Sequence, residues 1–142
     1  MPVKINAKKG GKSLSASIKT QAEEIAEPQV KQKLAEIGDY ATRISPVWSG
    51  AYVKSFSFVP FGSGSGRMRT SKLEDDNRAM EDQIVREAQN NLRADLNKID
   101  LTEVNGVVLR NRSPHARAVE YGPTPRSPTG YAVFAKVKDR FR

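Results

Sequence analysis

SPVWSGAYVKSF, residues 45–56, is the stretch on which the reading of this chain turns. Ser45-Pro46 stops any helix that precedes it, because the residue before a proline disfavours α geometry. Pro46 presets a turn and Gly50 frees that turn from side-chain clashes, so a helix ending at Ile44 can fold back into a strand. Residues 51–59, AYVKSFSFV, then alternate, with Tyr52, Phe56 and Phe58 on one face and Val53, Ser55, Ser57 and Val59 on the other. The expectation is a strand with one aromatic face.

Upstream, the spacing is helical from about Ser17 to Ile44, with Ile18, Ala22 and Ile25 on one stripe and Val30, Leu34, Ile37, Ala41 and Ile44 on another. Pro28 lacks a backbone donor, so a kink or a junction of two helices is expected there. Before it, MPVKINAKKGGKSLSAS has few apolar side chains to bury and reads as an extended basic arm over residues 1–16, ordered only by a neighbouring chain. Downstream, Pro60 and the GSGSG run at 62–66 end the strand, and with Arg67, Arg69 and Lys72 they predict a flexible basic loop over 60–73.

Residues 74–98 return to helix, with Met80, Ile84, Ala88, Leu92 and Leu96 every four residues and Glu74, Asp75, Asp76, Glu81 and Asp82 near the start, where a helix favours negative charge. Val104, Val107, Val108 and Leu109 mark a strand or hairpin over 104–112, and His115 to Glu120 reads as another strand before Gly122-Pro123 turns the chain. Tyr131, Phe134, Val137 and Phe141 favour a short closing helix. The predicted class is α+β: a small antiparallel β-sheet packed against a long helix and an N-terminal helix, with the arm at 1–16 and a single domain over 17–142.

Composition limits function. The 142 residues fit one domain with one modest core, and no run of about 18 apolar residues or apolar leader is present, so neither a membrane span nor secretion is expected. The absence of cysteine excludes disulfides, thiolate metal sites and Cys nucleophiles. The net charge of +8 is uneven: residues 1–20 carry +5, residues 110–142 carry +6 and the middle −3. Basic ends suit a polyanion or acidic protein surfaces, or serve as a solubilising surface.

Catalytic chemistry finds little to stand on. His115 is the only histidine and would have to carry a triad or a metal site alone. Asp75-Asp76 lacks calcium-loop spacing, Gly62, Gly64 and Gly66 lack the Lys-Ser of a phosphate loop, and Gly11-Lys12-Ser13 lacks the upstream glycine. No catalytic, cofactor-binding or metal-ligating residue is predicted, and no enzymatic activity is expected.

Two segments, SPVWSGAYVKSF and VVLRNRSPHARAVEYGPTPRSPTGYAVF at 107–134, carry a resemblance. In order they hold Pro46, Val47 and Gly50, then Asn111, Pro114, His115 and Ala116, then Glu120, Tyr121 and Gly122, then Pro128 and Gly130. This pattern resembles the tail-completion, or neck, proteins of tailed bacteriophages, the small virion proteins that join head to tail, and it covers about residues 30–140. His115 stands where the family usually has tyrosine and Trp48 where it commonly has a small acidic residue.

The resemblance implies a structural virion protein, made in the host cytoplasm and located at the head-tail junction. It implies a homo-oligomeric ring, a hexamer favoured over a dodecamer, between the portal or adaptor protein and the tail or tail-terminator proteins, with genome DNA passing non-specifically through the lumen. Lys4, Lys8, Lys9 and Lys12 of the arm would then lie along an adjacent subunit or another neck protein, and Arg67, Arg69 and Lys72 would face the lumen or the next ring. Trp48 is read either as an anchor for a neighbour or as a cap on its own core. Glu120 and Tyr121 are read as a clamp for an arginine such as Arg117 or Arg43. The alternative is a small basic nucleic-acid-binding protein acting off the virion, marked by steep loss of affinity with salt.

Overall fold

The computed structural model describes residues 3–10, 13–20, 27–69, 77–104, 106–124 and 127–141. Among the described residues four strands, β1 (Val3–Gly10), β2 (Ser13–Thr20), β3 (Phe56–Pro60) and β4 (Val107–Asn111), form one sheet in the order β1-β2-β4-β3. Every neighbouring pair is antiparallel. The α-helices among the described residues are α1 (Glu27–Ile44), α2 (Ala51–Lys54), α3 (Glu81–Lys98), α4 (Ala116–Tyr121) and α5 (Val133–Arg140). The predicted α+β class, a small antiparallel sheet packed against helices, is the class of this structure.

The basic N-terminal segment extends as a hairpin. β2 pairs with all eight residues of β1 on one side and, from Leu14 to Ile18, with β4 on the other. Here the expectation of helix from Ser17 is corrected: Leu14, Ala16 and Ile18 alternate with serine at the period of a strand, and the helix begins at Glu27. Ala22 and Ile25 lie outside the described residues. Pro28 sits in the first turn of α1, where its missing donor has no helical partner to lose, so the helix starts there instead of kinking.

The core lies between the helices and one face of the sheet. Val30, Leu34, Ile37 and Ala41 of α1 are fully buried, as are Leu92 and Leu96 of α3 to within 2 %. They meet Phe56, Phe58, Val107 and Leu109 from β3 and β4. Phe134 of α5 packs against Phe56 at 5.9 Å between ring centroids, and Tyr52 meets Phe56 edge-on at 5.3 Å. That aromatic run links three elements distant in sequence.

Other differences from the sequence reading have local causes. Residues 51–54 form a turn of helix before the strand, because Gly50 adopts φ 95° and the Lys54 amide bonds back to Gly50 O at 3.0 Å. The expected aromatic strand face is therefore shared between a helix, which supplies Tyr52, and β3. The α3 segment opens with a single 3₁₀ turn at Arg78–Met80, which leaves Met80 48 % exposed and outside the core stripe. Glu74, Asp75 and Asp76 lie outside the described residues. The segment from His115 to Glu120 is helical, not a strand: Ser113 Oγ accepts the His115 amide at 3.2 Å and α4 follows at once. The closing helix is α5, with Phe134 and Val137 buried as its spacing predicts.

Candidate interface and its supports

The recurring residues of the two segments converge on one junction. Val47 enters the core at 6 % exposure, and Trp48 packs edge-on against Tyr131 with ring centroids 6.1 Å apart. Trp48 O accepts the Asn77 amide at 2.6 Å, which ties the turn to the start of α3. Pro46 is half-buried beside them. A Cβ on Gly50 would stand 3.2 Å from Ile84 Cδ1, so its glycine serves both the left-handed backbone and the approach of α3.

Asn111, at the end of β4, is fully buried and bonded in two directions. Its Nδ2 donates to Tyr52 O at 2.8 Å and its Oδ1 accepts the Ser113 amide at 2.9 Å. One side chain thus satisfies a carbonyl of α2 and shapes the exit from the sheet, which brings the two segments together. Pro114 and His115 follow on the surface.

Glu120 is 5 % exposed, and its carboxylate lies at the start of α5. Oε1 accepts the Phe134 amide at 2.8 Å and Oε2 the Ala135 amide at 3.2 Å. Both are first-turn donors that a helix leaves unpaired, and negative charge at that end meets the positive pole of the helix dipole. Glu120 thus pairs with backbone of the next helix. Next to it, Gly122 (φ 77°) and Gly130 (φ 81°) bring two stretches of backbone together: Tyr131 N donates to Val119 O at 2.6 Å and Ala132 N to Glu120 O at 3.1 Å. Tyr121 between them is 42 % exposed.

Tyr52 lies in the same junction, and its buried hydroxyl has no hydrogen-bond partner. Burial, and then the charge of Glu120, hold its phenol well above the usual value near 10. The folded state favours the protonated form, so stability is fully present below pH 10 and falls as pH rises through the unfolded tyrosine's range. Tyr52→Phe removes the unpaired hydroxyl and is expected to stabilise by about 1 kcal/mol, more at pH 11 than at pH 7. Urea midpoints at the two pH values check it, and an equal change at both would refute the burial argument.

The predicted basic loop is organised differently from the expectation. Residues 61–69 double back along the outer edge of β3, where the Arg67 amide bonds Ser57 Oγ at 2.7 Å and the Arg69 amide bonds Ser55 Oγ at 2.9 Å. The Arg67 guanidinium grips both carboxylate oxygens of Asp95 and donates to Phe56 O at 2.9 Å, while Asp95 Oδ2 accepts the Phe58 amide at 3.0 Å. A sheet edge is thereby closed by side chains and a strap of backbone. Arg110 donates to the carbonyls of Ser63 and Ser65, and Arg112 to that of Gly66, which holds the glycine-serine run in place. Under the strap is an open groove of about 330 Å³ bordered by Ser57, Val59, Lys98 and Ile99.

Arg67 is therefore engaged within the subunit, whereas the Arg69 side chain is exposed; Lys72 lies outside the described residues. Asp95, which sequence reasoning missed, holds the strap; the only hint was an acid flanking the α3 stripe beside Leu96. Asp95→Ala strands a half-buried guanidinium and the Phe58 amide, and is expected to cost about 2–3 kcal/mol. A shift in the urea midpoint under about 0.3 M would show that the edge closes without it.

Lys4, Lys8 and Lys9 lie in β1, and Lys12 outside the described residues. By register, Lys4 of β1 pairs with Lys19 of β2 and Lys8 with Ser15, which in turn pairs with Arg110 of β4. Among the described residues no group of three or more His, Asp or Glu could hold a metal ion, and no helix is long and apolar enough to cross a membrane. The junction can position backbone. No protein-family model, curated protein or solved structure matches the chain.

Proposed function

We propose that this chain is a structural protein of a tailed-bacteriophage virion, one copy of a ring in the neck that joins the portal or its adaptor to the tail and lets genome DNA pass. The observation that carries the reading is the convergence of Pro46, Gly50, Asn111, Glu120, Gly122 and Gly130 on a single packed junction. Residues that recur in the family this sequence resembles have backbone tasks here: a turn, a tether between segments, a helix cap and a tight corner. A pattern kept for such tasks supports a shared fold and a role exercised through surfaces.

Surface chemistry fits that role. The N-terminal hairpin is basic, and Tyr121 and Arg69 are exposed, as groups that meet neighbours or a polyanion would be. The test is quantitative mass spectrometry of purified particles. Six or twelve copies per portal ring is the expected result, and absence from particles would reject the proposal. The +5 charge of residues 1–20 favours a second reading, a nucleic-acid-binding protein acting off the virion. In that case duplex binding persists at physiological salt and falls steeply as salt rises.

A further inference from the structure

The glycine-serine run of the strap rests on two arginines. Arg110 Nη1 donates to the carbonyls of Ser63 at 2.7 Å and Ser65 at 3.0 Å, and Arg112 Nη1 donates to that of Gly66 at 3.1 Å. Both side chains are half-buried, and a Cβ on Gly66 would stand 3.2 Å from Arg112 Cδ and 3.6 Å from Arg110 Cδ, so the two stems run side by side. Among the described residues neither guanidinium forms an ion pair. Arg110 Nε is buried without a hydrogen-bond partner. Two adjacent positive charges therefore meet neutral carbonyls, and one donor meets nothing. A carboxylate is the better acceptor, because charge-assisted bonds to a guanidinium are about twice as strong as neutral ones and pair with it two at a time.

The cover over these arginines is free to lift. Gly62 and Gly64 are exposed, with nothing within 4 Å of a Cβ at either. The other bonds of the run are local: Ser63 N donates to Pro60 O at 3.0 Å, and the hydroxyls of Ser63 and Ser65 bond each other at 2.7 Å. Its two ends are fixed, since Phe61 N donates to Gly106 O at 2.9 Å and the Arg67 guanidinium holds Asp95. Residues 62–66 can swing away from Arg110 and Arg112 while the clamp on the β3 edge stays closed.

We infer that Arg110 and Arg112 form a carboxylate-binding site, lidded in the free subunit by residues 62–66, and that its occupant is an extended acidic segment of another protein. Side-chain carboxylates of that segment replace the three strap carbonyls, and the strap is an internal competitor that keeps the site shut. The occupant is a peptide because peptide fills the site already: the carbonyls of Ser63, Ser65 and Gly66 are spaced along four residues, which a flexible chain of acids reproduces. The phosphates of a duplex, carried on a stiff rod, are poorly suited to enter beneath a lid. The site belongs to one subunit and does not depend on the neck reading.

The test uses the full chain and a labelled, end-blocked hexapeptide of alternating aspartate and glutamate, with its asparagine-glutamine counterpart, at about 150 mM salt. By fluorescence anisotropy the acidic peptide is expected to bind at least about tenfold more tightly than the neutral one. In amide NMR spectra, Gly62, Gly64 and Gly66 are expected to move toward unstructured-chain positions as it binds, while the Arg67 amide stays in place. Arg112→Lys keeps the charge and loses the planar fork, so it is expected to weaken binding about fivefold or more, with circular dichroism equal to wild type. The comparison of the two peptides on wild type stands without any variant.

Equal affinity for the two peptides, or no binding of either, would overturn the site. Undiminished binding by a folded Arg112→Lys variant would reduce it to diffuse attraction between unlike charges. Glycine amides that do not move on binding would remove the lid. A duplex oligonucleotide that displaces the peptide, and loses affinity in Arg112→Lys, would make this a phosphate site, and the inference fails.

Discussion

Gly122→Ala is expected to lose about 3–5 kcal/mol of folding stability, a large share of what a domain of this size holds. Two independent causes add. Gly122 has φ 77° and ψ 178°, a backbone region that residues with a Cβ avoid at a cost of about 1–3 kcal/mol. A Cβ there would also stand 2.7 Å from Gly130 N and press against the Pro128 carbonyl, which are backbone atoms and cannot rotate aside. The corner has little freedom to open, because Gly122 N donates to Ala118 O at 2.7 Å and Tyr131 N to Val119 O at 2.6 Å on either side of it. Gly130→Ala should behave alike, with its Cβ 2.5 Å from Glu120 O. Gly64→Ala is the control, since nothing lies within 4 Å of a Cβ there. Thermal unfolding should place the Gly122 variant about 10 °C or more below wild type and the control within about 2 °C. A Gly122 variant as stable as the control would mean that the corner is looser than its geometry.

The same corner separates what the sequence could disclose from what it could not. The four-residue stripe of α3 was legible, and Ile84, Ala88, Leu92 and Leu96 are all buried to 4 % or less. Val30, Leu34, Ile37 and Ala41 marked α1 in the same way, because an 18-residue helix repeats its period several times. Short elements repeat nothing. AYVK at 51–54 completes one turn, too little to distinguish from strand alternation, and the left-handed Gly50 that starts it is a conformation rather than a pattern. α4, of six residues, was missed for the same reason.

Long-range pairing was equally hidden. VKINAKKG looks like a solvated arm until β2 aligns Ile5 with Ile18 and Ala7 with Ala16. The lysines at 4, 8, 9 and 12 were singled out because charge is visible in the sequence alone. The loop arginine Arg67 was misjudged because its partner, Asp95, lies 28 residues away on another element. Gly122 and Gly130 were singled out by resemblance and placed at a turn; that they face each other across backbone is a property of the fold.

Glu120→Ala is the second large effect expected, a loss of about 2–4 kcal/mol. The substitution removes both acceptors of the Phe134 and Ala135 amides, which are then left at a buried helix start without the charge that suits the dipole. The consequence spreads, because α5 contributes Phe134 and Val137 to the core and follows directly on Ala132, a non-glycine residue held at φ 49°. Such a conformation persists only while its surroundings impose it, and the Ala132 amide and the Glu120 carboxylate form one side of that constraint. Glu120→Gln keeps one acceptor oxygen for one amide and turns its NH2 toward the other donor, so about half the loss should remain. The two substitutions also test where the damage falls. Trypsin sites at Lys136, Lys138 and Arg140 lie on α5, and cleavage there should accelerate in the Ala variant well before global unfolding, as the helix frays locally. If proteolysis at these lysines rises only in step with global unfolding, the carboxylate does not act through α5. A variant with unchanged urea midpoint and unchanged cleavage would remove the cap from the account altogether and leave the glycine corner as the feature that holds α4 to α5.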